Sequence, residues 1–346
     1  MPSPDRPQSL RVPKPYVWPD GFERVPREEW VDRPIDDLAR SYDRVRRHGW
    51  YANLDPVVEE LRAYVHPGDI LMDYSGGTGI LVDRLRSRIG DLAIGMLIVD
   101  ASAKFLRFAV DVLRGDPRTA FRLLRYLKDA GRLQSLEEVI DPPVLRRGVD
   151  AIACTNAIHL YPELDRTLAS WSALLRPAHY VFINSGNILD RNAASDEWII
   201  DTTVAALNEV AERLVREDER YAAHRAVLTD RARMAAYSEY RDQVFLPPRA
   251  LSRYLESLER TGFAVEDASA HRIIATVSEW HEFLKTYSDA VLGWIGGTEK
   301  VEGRVPGADA LRDRDEVLRR SLGELFGGAD TFPCRWTFIR AKRRAR

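Results

Sequence analysis

The chain has 346 residues, with 51 Lys and Arg against 53 Asp and Glu, so its formal charge at pH 7 is −2. This balance gives no electrostatic reason to expect a nucleic acid or a membrane surface as the partner. Hydrophobic residues make up 45% of the chain, which suits a globular core, and the two cysteines, Cys154 and Cys334, are too few for a disulfide framework or a cysteine-based zinc site.

No segment is long and apolar enough to predict a membrane span. The longest apolar run, residues 93–99, is far shorter than the roughly 20 residues that cross a bilayer. Residues 1–30 carry seven of the 19 prolines, and proline and charge are not typical of a signal sequence. We therefore expect a cytoplasmic protein with a proline-rich N-terminal arm over residues 1–34, whose Trp18, Phe22 and Trp30 are available to pack onto the body.

Residues 35–185 alternate between helical and strand patterns. Asp55-Pro56 is typical of a helix start, and apolar residues then recur on one face of that helix. We predict helices over 36–46, 55–65, 81–89, 105–112 and 164–174, and strands over 70–72, 93–99, 121–127, 149–155 and 180–183. Such alternation predicts an α/β fold with a mostly parallel sheet, whose strand carboxyl ends share one ligand-binding edge.

Residues 186–346 combine helices with two further strands. One apolar stripe predicts a single helix over 198–219, and a second amphipathic helix spans 249–261. Strand patterns follow at 263–270, or as far as 276, and at 335–341, with a helical segment between them that glycines interrupt at 293–307. We expect 186–250 and about 279–330 to be helical insertions that cover the ligand-binding edge, and the rest of 251–346 to complete the sheet.

The most informative segment is the glycine-rich turn from Asp73 to Gly79, between the first strand and a helix. Glycine lets a ligand lie against the backbone because no Cβ intervenes. A phosphate-binding loop would need Gly-Lys followed by Ser or Thr, which is absent. A dinucleotide fingerprint starting at Gly77 would need a third glycine where Val82 stands. The turn therefore fits neither of these two phosphate-binding patterns.

This turn, Asp73-Tyr74-Ser75-Gly76-Gly77-Thr78-Gly79, resembles the acid-x-Gly-x-Gly-x-Gly segment of the class I S-adenosylmethionine-dependent methyltransferases, particularly their small-molecule branch. The resemblance covers about residues 35–185 and, more loosely, the C-terminal strands. It departs from the family at Ser75, where the first glycine commonly stands, so we expect a modest change in the turn. The resemblance implies a Rossmann-like class I methyltransferase fold with a mostly parallel seven-stranded sheet and helical lid insertions.

Further segments match the family in the same order. Asp100-Ala101 ends the second strand, where a carboxylate would accept from the ribose hydroxyls. Asp129-Ala130 follows the third strand and would lie beside the adenine, and Asn156 follows the fourth strand. Tyr42 would close over the methionine carboxylate, or alternatively lie on a helix surface. The resemblance implies S-adenosyl-L-methionine as cofactor, S-adenosyl-L-homocysteine as product and no metal, with these residues and the turn residues as the binding set: Asp73, Ser75, Gly76, Gly77, Thr78 and Gly79.

Two residues are candidates for catalysis. Methyl transfer from a sulfonium is an in-line displacement, so the site must align nucleophile, methyl group and sulfur, and a general base helps a hydroxyl or amine nucleophile. His159 stands where members of the family often place a residue facing the methyl group, and its ordinary pKa of about 6.5 suits a base. Its alternative role is to cap the loop or shape the pocket. Tyr161 is a second, similar candidate.

We expect a methyltransferase that acts on an oxygen, or on a nitrogen or carbon, of a small acceptor. The insertions are rich in aromatic residues, which suit a largely hydrophobic or aromatic metabolite: Trp198, Tyr221, Tyr237, Tyr240, Phe245, Trp280, Phe283, Tyr287 and Trp294. Two alternatives stay open, an RNA- or protein-modifying methyltransferase and a non-catalytic S-adenosylmethionine-binding protein. No nucleic acid or membrane span is expected, the basic C-terminal tail is expected to be solvated, and the sequence is compatible with a homodimer.

Overall fold

Seven strands form one central sheet in the computed structural model, which describes residues 16–345. In chain order they are β1 (Ile70–Tyr74), β2 (Gly95–Asp100), β3 (Thr119–Leu123), β4 (Val149–Thr155), β5 (Leu175–Ser185), β6 (Phe263–Thr276) and β7 (Thr331–Arg343). Their spatial order is β6-β7-β5-β4-β1-β2-β3. Strands β1 to β5 pair in parallel, and β7 is antiparallel to both β5 and β6. The predicted Rossmann-like, mostly parallel seven-stranded sheet is confirmed.

Helices flank this sheet and fill the two segments that interrupt it. The α-helices are α1 (Asp37–Asp43), α2 (Asp55–Tyr64), α3 (Ile80–Ile89), α4 (Ala103–Leu113), α5 (Leu136–Val139), α6 (Pro142–Arg147), α7 (Leu164–Leu174), α8 (Ile200–Glu217), α9 (Arg225–Thr229), α10 (Arg231–Val244), α11 (Leu251–Arg260), α12 (Val277–Thr286), α13 (Ser288–Val291), α14 (Glu299–Glu302) and α15 (Ala308–Leu325). Short 3-10 helices lie at Glu29–Asp32, Arg44–Arg47, Gly49–Leu54, Lys128–Ala130, Ile158–Leu160 and Glu219–His224. Two-residue strands pair at Tyr126–Leu127 with Arg132–Leu133 and at Ile188–Leu189 with Arg249–Ala250.

The predicted third strand differs from the observed one. It was expected over 121–127, whereas β3 is Thr119–Leu123 and the chain then leaves the sheet for the short hairpin of Tyr126–Leu127 and Arg132–Leu133. At the sheet edge, β3 has β2 as its neighbouring strand, and β2 ends at Asp100, opposite Leu123. Past Leu123 no strand remains for the chain to pair with. The predicted helix over 36–46 likewise divides into α1 and a following 3-10 helix.

The hydrophobic core lies on both faces of the sheet, as alternating strand side chains require. Met96 and Ile98 of β2 face a cluster with α2, α3, α4 and the insertion helices α8, α12 and α15. Leu97 and Val99 face the opposite cluster with α7 and α11. The insertions therefore extend one of the two cores of the sheet.

The described part of the N-terminal arm packs onto the body. Trp18 is buried, stacks on Phe22, and donates from its indole Nε1 to the carbonyl of Pro117 at 3.1 Å. Trp30 is buried as well. Residues 1–15 of the arm lie outside the described residues.

Most of the basic C-terminal residues belong to β7 and have partners in neighbouring elements. Arg340 pairs with Glu60 at 3.2 Å, and the Lys342 ammonium lies 5.2 Å from the centre of the Tyr180 ring. Arg346 lies outside the described residues. Across residues 16–345, every helix is too short or too polar to cross a membrane.

Candidate functional site

A cavity of about 490 Å³ opens at the carboxyl ends of β1, β2 and β4. Its walls come from the glycine-rich turn, the loop after β4, the 3-10 segment before α2, and both insertions. The lining residues are Tyr42, Trp50, Tyr51, Ser75, Gly77, Asp100, Ala101, Ser102, Phe105, Leu133, Thr155, Asn156, Ala157, His159, Leu160, Tyr161, Ile200, Val244, Phe245, Phe283, Tyr287 and Trp336. This is the edge at which parallel α/β sheets bind ligands.

The glycine-rich turn is a close-packed backbone bend between β1 and α3. The amides of Ser75 and Gly76 both donate to the carbonyl of Val99, at 2.7 and 3.2 Å. A Cβ on Gly76 would lie 2.6 Å from Oδ2 of Asp73, so no other residue fits there without displacing that carboxyl group. Gly79 has a φ of 83° at the start of α3, which favours glycine. The turn thus brings bare backbone to the cavity.

Ser75 adopts the conformation that a glycine would favour. Its φ is 62°, a left-handed value that costs a non-glycine residue about 1–2 kcal/mol. The hydroxyl of Ser75 hydrogen-bonds to the hydroxyl of Tyr161, across the cavity wall. The departure from the family pattern therefore keeps the backbone bend and adds a side-chain link to the loop after β4.

Asp100 is fixed by backbone donors at the end of β2. Its Oδ2 accepts from the amide of Gly77 at 2.8 Å, and its Oδ1 accepts from the amide of Ser102 at 2.6 Å. Burial raises the pKa of this carboxyl to about 6, and the two amides oppose that rise. Each oxygen has a further lone pair beyond its backbone partner. Asp100 is the one carboxylate in the described cavity wall.

Asp73 lies beneath the turn and has no partner. It is fully buried, and neither carboxyl oxygen has a hydrogen-bond partner among the described residues. Burial, followed by the nearby Asp100 carboxylate, raises the pKa of Asp73 to about 8. Gly76 separates this carboxyl group from the cavity. An uncompensated buried acid beside a binding edge is typical of a functional position.

His159 follows β4 and is almost fully buried, with 7% of its surface exposed. Its Nδ1 hydrogen-bonds to Oγ of Ser185 at 2.8 Å. Arg249 donates to the carbonyls of His159 and Tyr161, at 3.1 and 2.6 Å, and so holds the loop. Burial, and then the charge of Arg249, lower the pKa of His159 to about 4. The imidazole is therefore neutral at pH 7.

A buried network of asparagine amides and the Trp336 indole joins the ends of β4 and β5 to β7. Asn156, with a φ of 56°, donates from Nδ2 to Oδ1 of Asn53 at 3.1 Å and accepts at Oδ1 from the indole Nε1 of Trp336 at 2.7 Å. Its backbone amide donates to Oδ1 of Asn184 at 3.0 Å, and Nδ2 of Asn184 donates to the carbonyl of Asn53 at 2.8 Å. The Asn156 side chain thus has a protein partner at both of its polar atoms, and it also lines the cavity.

Aromatic rings form much of the cavity wall. Trp50 stacks on Trp336 with ring centres 5.6 Å apart and meets Phe283 edge-on at 5.5 Å. Tyr287 contacts both Phe283 and Phe245, at 5.6 and 5.7 Å. No lysine or arginine lines the described cavity. The wall therefore favours a flat, apolar ligand.

The structure brings eight of the fourteen predicted site residues to the cavity: Tyr42, Ser75, Gly77, Asp100, Ala101, Asn156, His159 and Tyr161. Four others, Asp73, Gly76, Thr78 and Gly79, shape the turn from behind. The remaining two, Asp129 and Ala130, are exposed on the short hairpin after β3 and do not line the cavity. Among residues 16–345, no group of three or more His, Cys, Asp or Glu side chains could hold a metal ion.

Sequence reasoning missed the residues that come from distant parts of the chain. Trp50, Tyr51 and Trp336 line the cavity, while Asn53 and Ser185 support it from behind. Of the nine insertion aromatics, Phe245, Phe283 and Tyr287 reach the cavity. Asn184 and Ser185 at the end of β5 were detectable in principle, since polar residues at a buried strand end are unusual.

No protein-family model and no curated protein matches this chain. Solved structures are similar to it at low identity. The YcgJ protein from Bacillus subtilis is 10% identical, with 86% of this chain and 100% of that chain covered and a TM-score of 0.48. A geranyl diphosphate methyltransferase in complex with SAM is 14% identical, with 91% and 94% covered and a TM-score of 0.45.

A third structure is phosphoethanolamine N-methyltransferase 2 from Haemonchus contortus, in complex with phosphomonomethylethanolamine and S-adenosylhomocysteine. It is 13% identical, with 89% of this chain and 57% of that chain covered and a TM-score of 0.47. The seven-stranded sheet, in which β7 lies antiparallel between β5 and β6, has the fold expected from the resemblance to class I methyltransferases.

Proposed function

We propose that this chain is an S-adenosylmethionine-dependent methyltransferase that acts on a small, largely apolar or aromatic acceptor. One observation carries the proposal. Asp100 and the backbone of Gly77 share a single cavity with His159 and a wall of aromatic rings. A polar cofactor end and an apolar acceptor end would thus share one cavity, as a displacement between two bound molecules requires.

The residues of the turn fit the cofactor. Asp100 would accept from the ribose hydroxyls, and the backbone around Gly77 permits close approach without a phosphate-binding lysine. Asp73 supports a ligand with a positive charge, because its carboxyl group is buried without a partner directly below Gly76. A cation nearby would favour its ionised form. Tyr42, stacked on Phe105 at 4.8 Å, would cover the turn.

The bound cofactor would supply an electrophilic methyl group on a sulfonium. The residues of this chain would align the acceptor with it and exclude water. Phe283 of α12, Tyr287 directly after α12 and Phe245 after α10 would close the acceptor side, so that the insertions over 186–250 and about 279–330 act as a lid. Residues 35–185 would hold the cofactor. A closed, dry cavity protects the methyl donor from hydrolysis.

Calorimetric titration with S-adenosylmethionine, S-adenosylhomocysteine, NAD and ATP tests the cofactor. We expect binding of the first two ligands alone. Asp100→Ala should weaken that binding by about 1.5–3 kcal/mol, roughly 10- to 150-fold, because charge-assisted hydrogen bonds to the ribose are lost. Asp129→Ala is the matched control, since this exposed carboxylate does not line the cavity and its loss should leave affinity unchanged.

Tight binding of NAD without binding of S-adenosylmethionine would contradict the assignment. An equal loss of S-adenosylmethionine affinity in Asp100→Ala and Asp129→Ala would contradict it as well. Methyl transfer is then followed with a methyl-labelled cofactor in a cell extract that contains metabolites, RNA and protein. We expect the label in the low-mass fraction. Label in RNA or protein would favour a macromolecular acceptor, and a bound cofactor without any transfer would favour a non-catalytic protein.

A further inference from the structure

The hydrogen positions on His159 follow from its partners. Oγ of Ser185 accepts from the amide of Asn187 at 3.1 Å and lies 2.8 Å from Nδ1 of His159. Ser185 is fully buried, so its hydroxyl hydrogen must find an acceptor inside the protein. Among the described residues, Nδ1 of His159 is the one acceptor within reach. Ser185 therefore donates to Nδ1, and Nδ1 carries no hydrogen.

A neutral imidazole without hydrogen on Nδ1 carries it on Nε2. Burial and the charge of Arg249 keep the ring neutral, because they lower the pKa of His159 to about 4. Arg249 donates to the backbone carbonyl of His159, and Asp100 is the acid in the cavity wall. Nε2 has no protein partner among the described residues, and His159 lines the cavity. The side chain thus offers an N–H to a ligand.

We propose that His159 acts as a hydrogen-bond donor to the acceptor rather than as its general base, and that the acceptor is an acidic phenol or enol that reacts as its oxyanion. This inference rests on the proposed function. An acceptor that has already lost its proton to water needs no base, and the N–H of His159 would steady the oxygen that attacks. The role differs from the general base expected from the sequence.

The charges in the cavity agree with this class of acceptor. The cavity wall has no lysine or arginine, so a carboxylate or phosphate on the acceptor would be buried without a counter-charge. A single oxyanion would have a counter-charge, because the sulfonium of the cofactor would lie beside it. The oxyanion forms a bond to the methyl carbon while the carbon–sulfur bond breaks and leaves its electron pair on sulfur. The products are an uncharged methyl ether and the neutral thioether, and no proton moves in this step.

Two measurements on the full chain test the proposal. In the first, the protein is labelled with ¹⁵N-histidine, and NMR at pH 7 shows which ring nitrogen of His159 carries hydrogen, with His159→Gln used to assign the signal. We expect hydrogen on Nε2. Hydrogen on Nδ1 would overturn the proposal without any need for a substrate.

The second measurement uses 4-nitrophenol, whose absorbance distinguishes phenol from phenolate, with the S-adenosylhomocysteine complex. The wild type should bind the phenolate. His159→Ala should bind it about 10- to 100-fold more weakly, whereas His159→Gln, which keeps a donor, should stay within about threefold. Equal binding by wild type and His159→Ala, or no binding at all, would overturn the proposal. If the wild type does not bind S-adenosylhomocysteine, the proposed function itself is refuted.

Discussion

At the scale of single residues, Asp73 links the stability of the protein to pH. Its carboxyl group is fully buried with no hydrogen-bond partner among the described residues, and burial raises its pKa to about 8. An unfolded chain would ionise the same group near a pKa of about 3.9. Between these two values the folded state retains a proton that the unfolded state releases. The free energy of unfolding therefore falls as pH rises through this window.

Asp73→Asn should remove this pH dependence. The amide has nearly the same shape and cannot ionise. The free energy of unfolding of the variant should therefore rise relative to that of the wild type by about 1.4 kcal/mol per pH unit between pH 5 and 7. This difference should level off near pH 8. Thermal unfolding of both proteins without cofactor, at four pH values, measures the difference. A stability difference that does not change with pH would show that Asp73 is already ionised in the folded protein.

At the scale of elements, β4, β5 and β7 are joined by two asparagine side chains and the indole of Trp336. Asn156, Asn184 and Trp336 meet Asn53 from the segment before α2. Since Asn156 holds a left-handed φ of 56°, its network must offset the backbone strain. The loop that carries His159 starts at this residue. The position of the candidate catalytic loop is thus set by contacts between elements.

Trp336→Phe tests this network. The substitution leaves Oδ1 of Asn156 without its indole donor and should lower the free energy of unfolding by about 1–3 kcal/mol. Trp280→Phe is the matched control, because Trp280 is equally buried and its Nε1 has no partner among the described residues. Urea unfolding of the two variants gives the comparison. If the control loses as much stability, ring size accounts for the effect and the hydrogen bond does not.

At the scale of the whole molecule, the second insertion is tied to the cavity wall. Glu279 of α12 accepts from the amide of Gly49 at 2.9 Å, and Glu282 pairs with Nε2 of His48 at 3.2 Å. Trp50, the residue after Gly49, donates from its indole to Nδ1 of His48 at 3.2 Å and lines the cavity. Movement of α12 would therefore move the aromatic wall. We therefore expect the proposed lid and the acceptor site to move together.

Hydrogen exchange with and without S-adenosylhomocysteine tests this coupling. We expect slower exchange in the turn over 75–79 and also in α12 and at the end of α10, because all three line one cavity. Asp100→Ala at the same ligand concentration is the control and should show little protection anywhere. Protection confined to the turn and the end of β2 would contradict closure of the insertions over the ligand.

The sequence alone determined the parts of this protein that depend on neighbours along the chain. Periodicity predicted the alternating strands and helices, and the turn from Asp73 to Gly79 and the carboxylate at Asp100 follow from their places at strand ends. Both turn and carboxylate lie where two consecutive elements meet. Local spacing is sufficient there, since the backbone itself brings the residues together.

Tertiary structure decided everything that depends on distant partners. The end of β3 is set by the lack of a further strand to pair with, which leaves Asp129 and Ala130 on an exposed hairpin. Asn156 meets partners 103 and 180 residues away, and the hydrogen on His159 is set by Ser185. Periodicity reveals which face of an element is buried but does not reveal which side chains meet there. Packing of the assembled sheet and its insertions fixes those pairs.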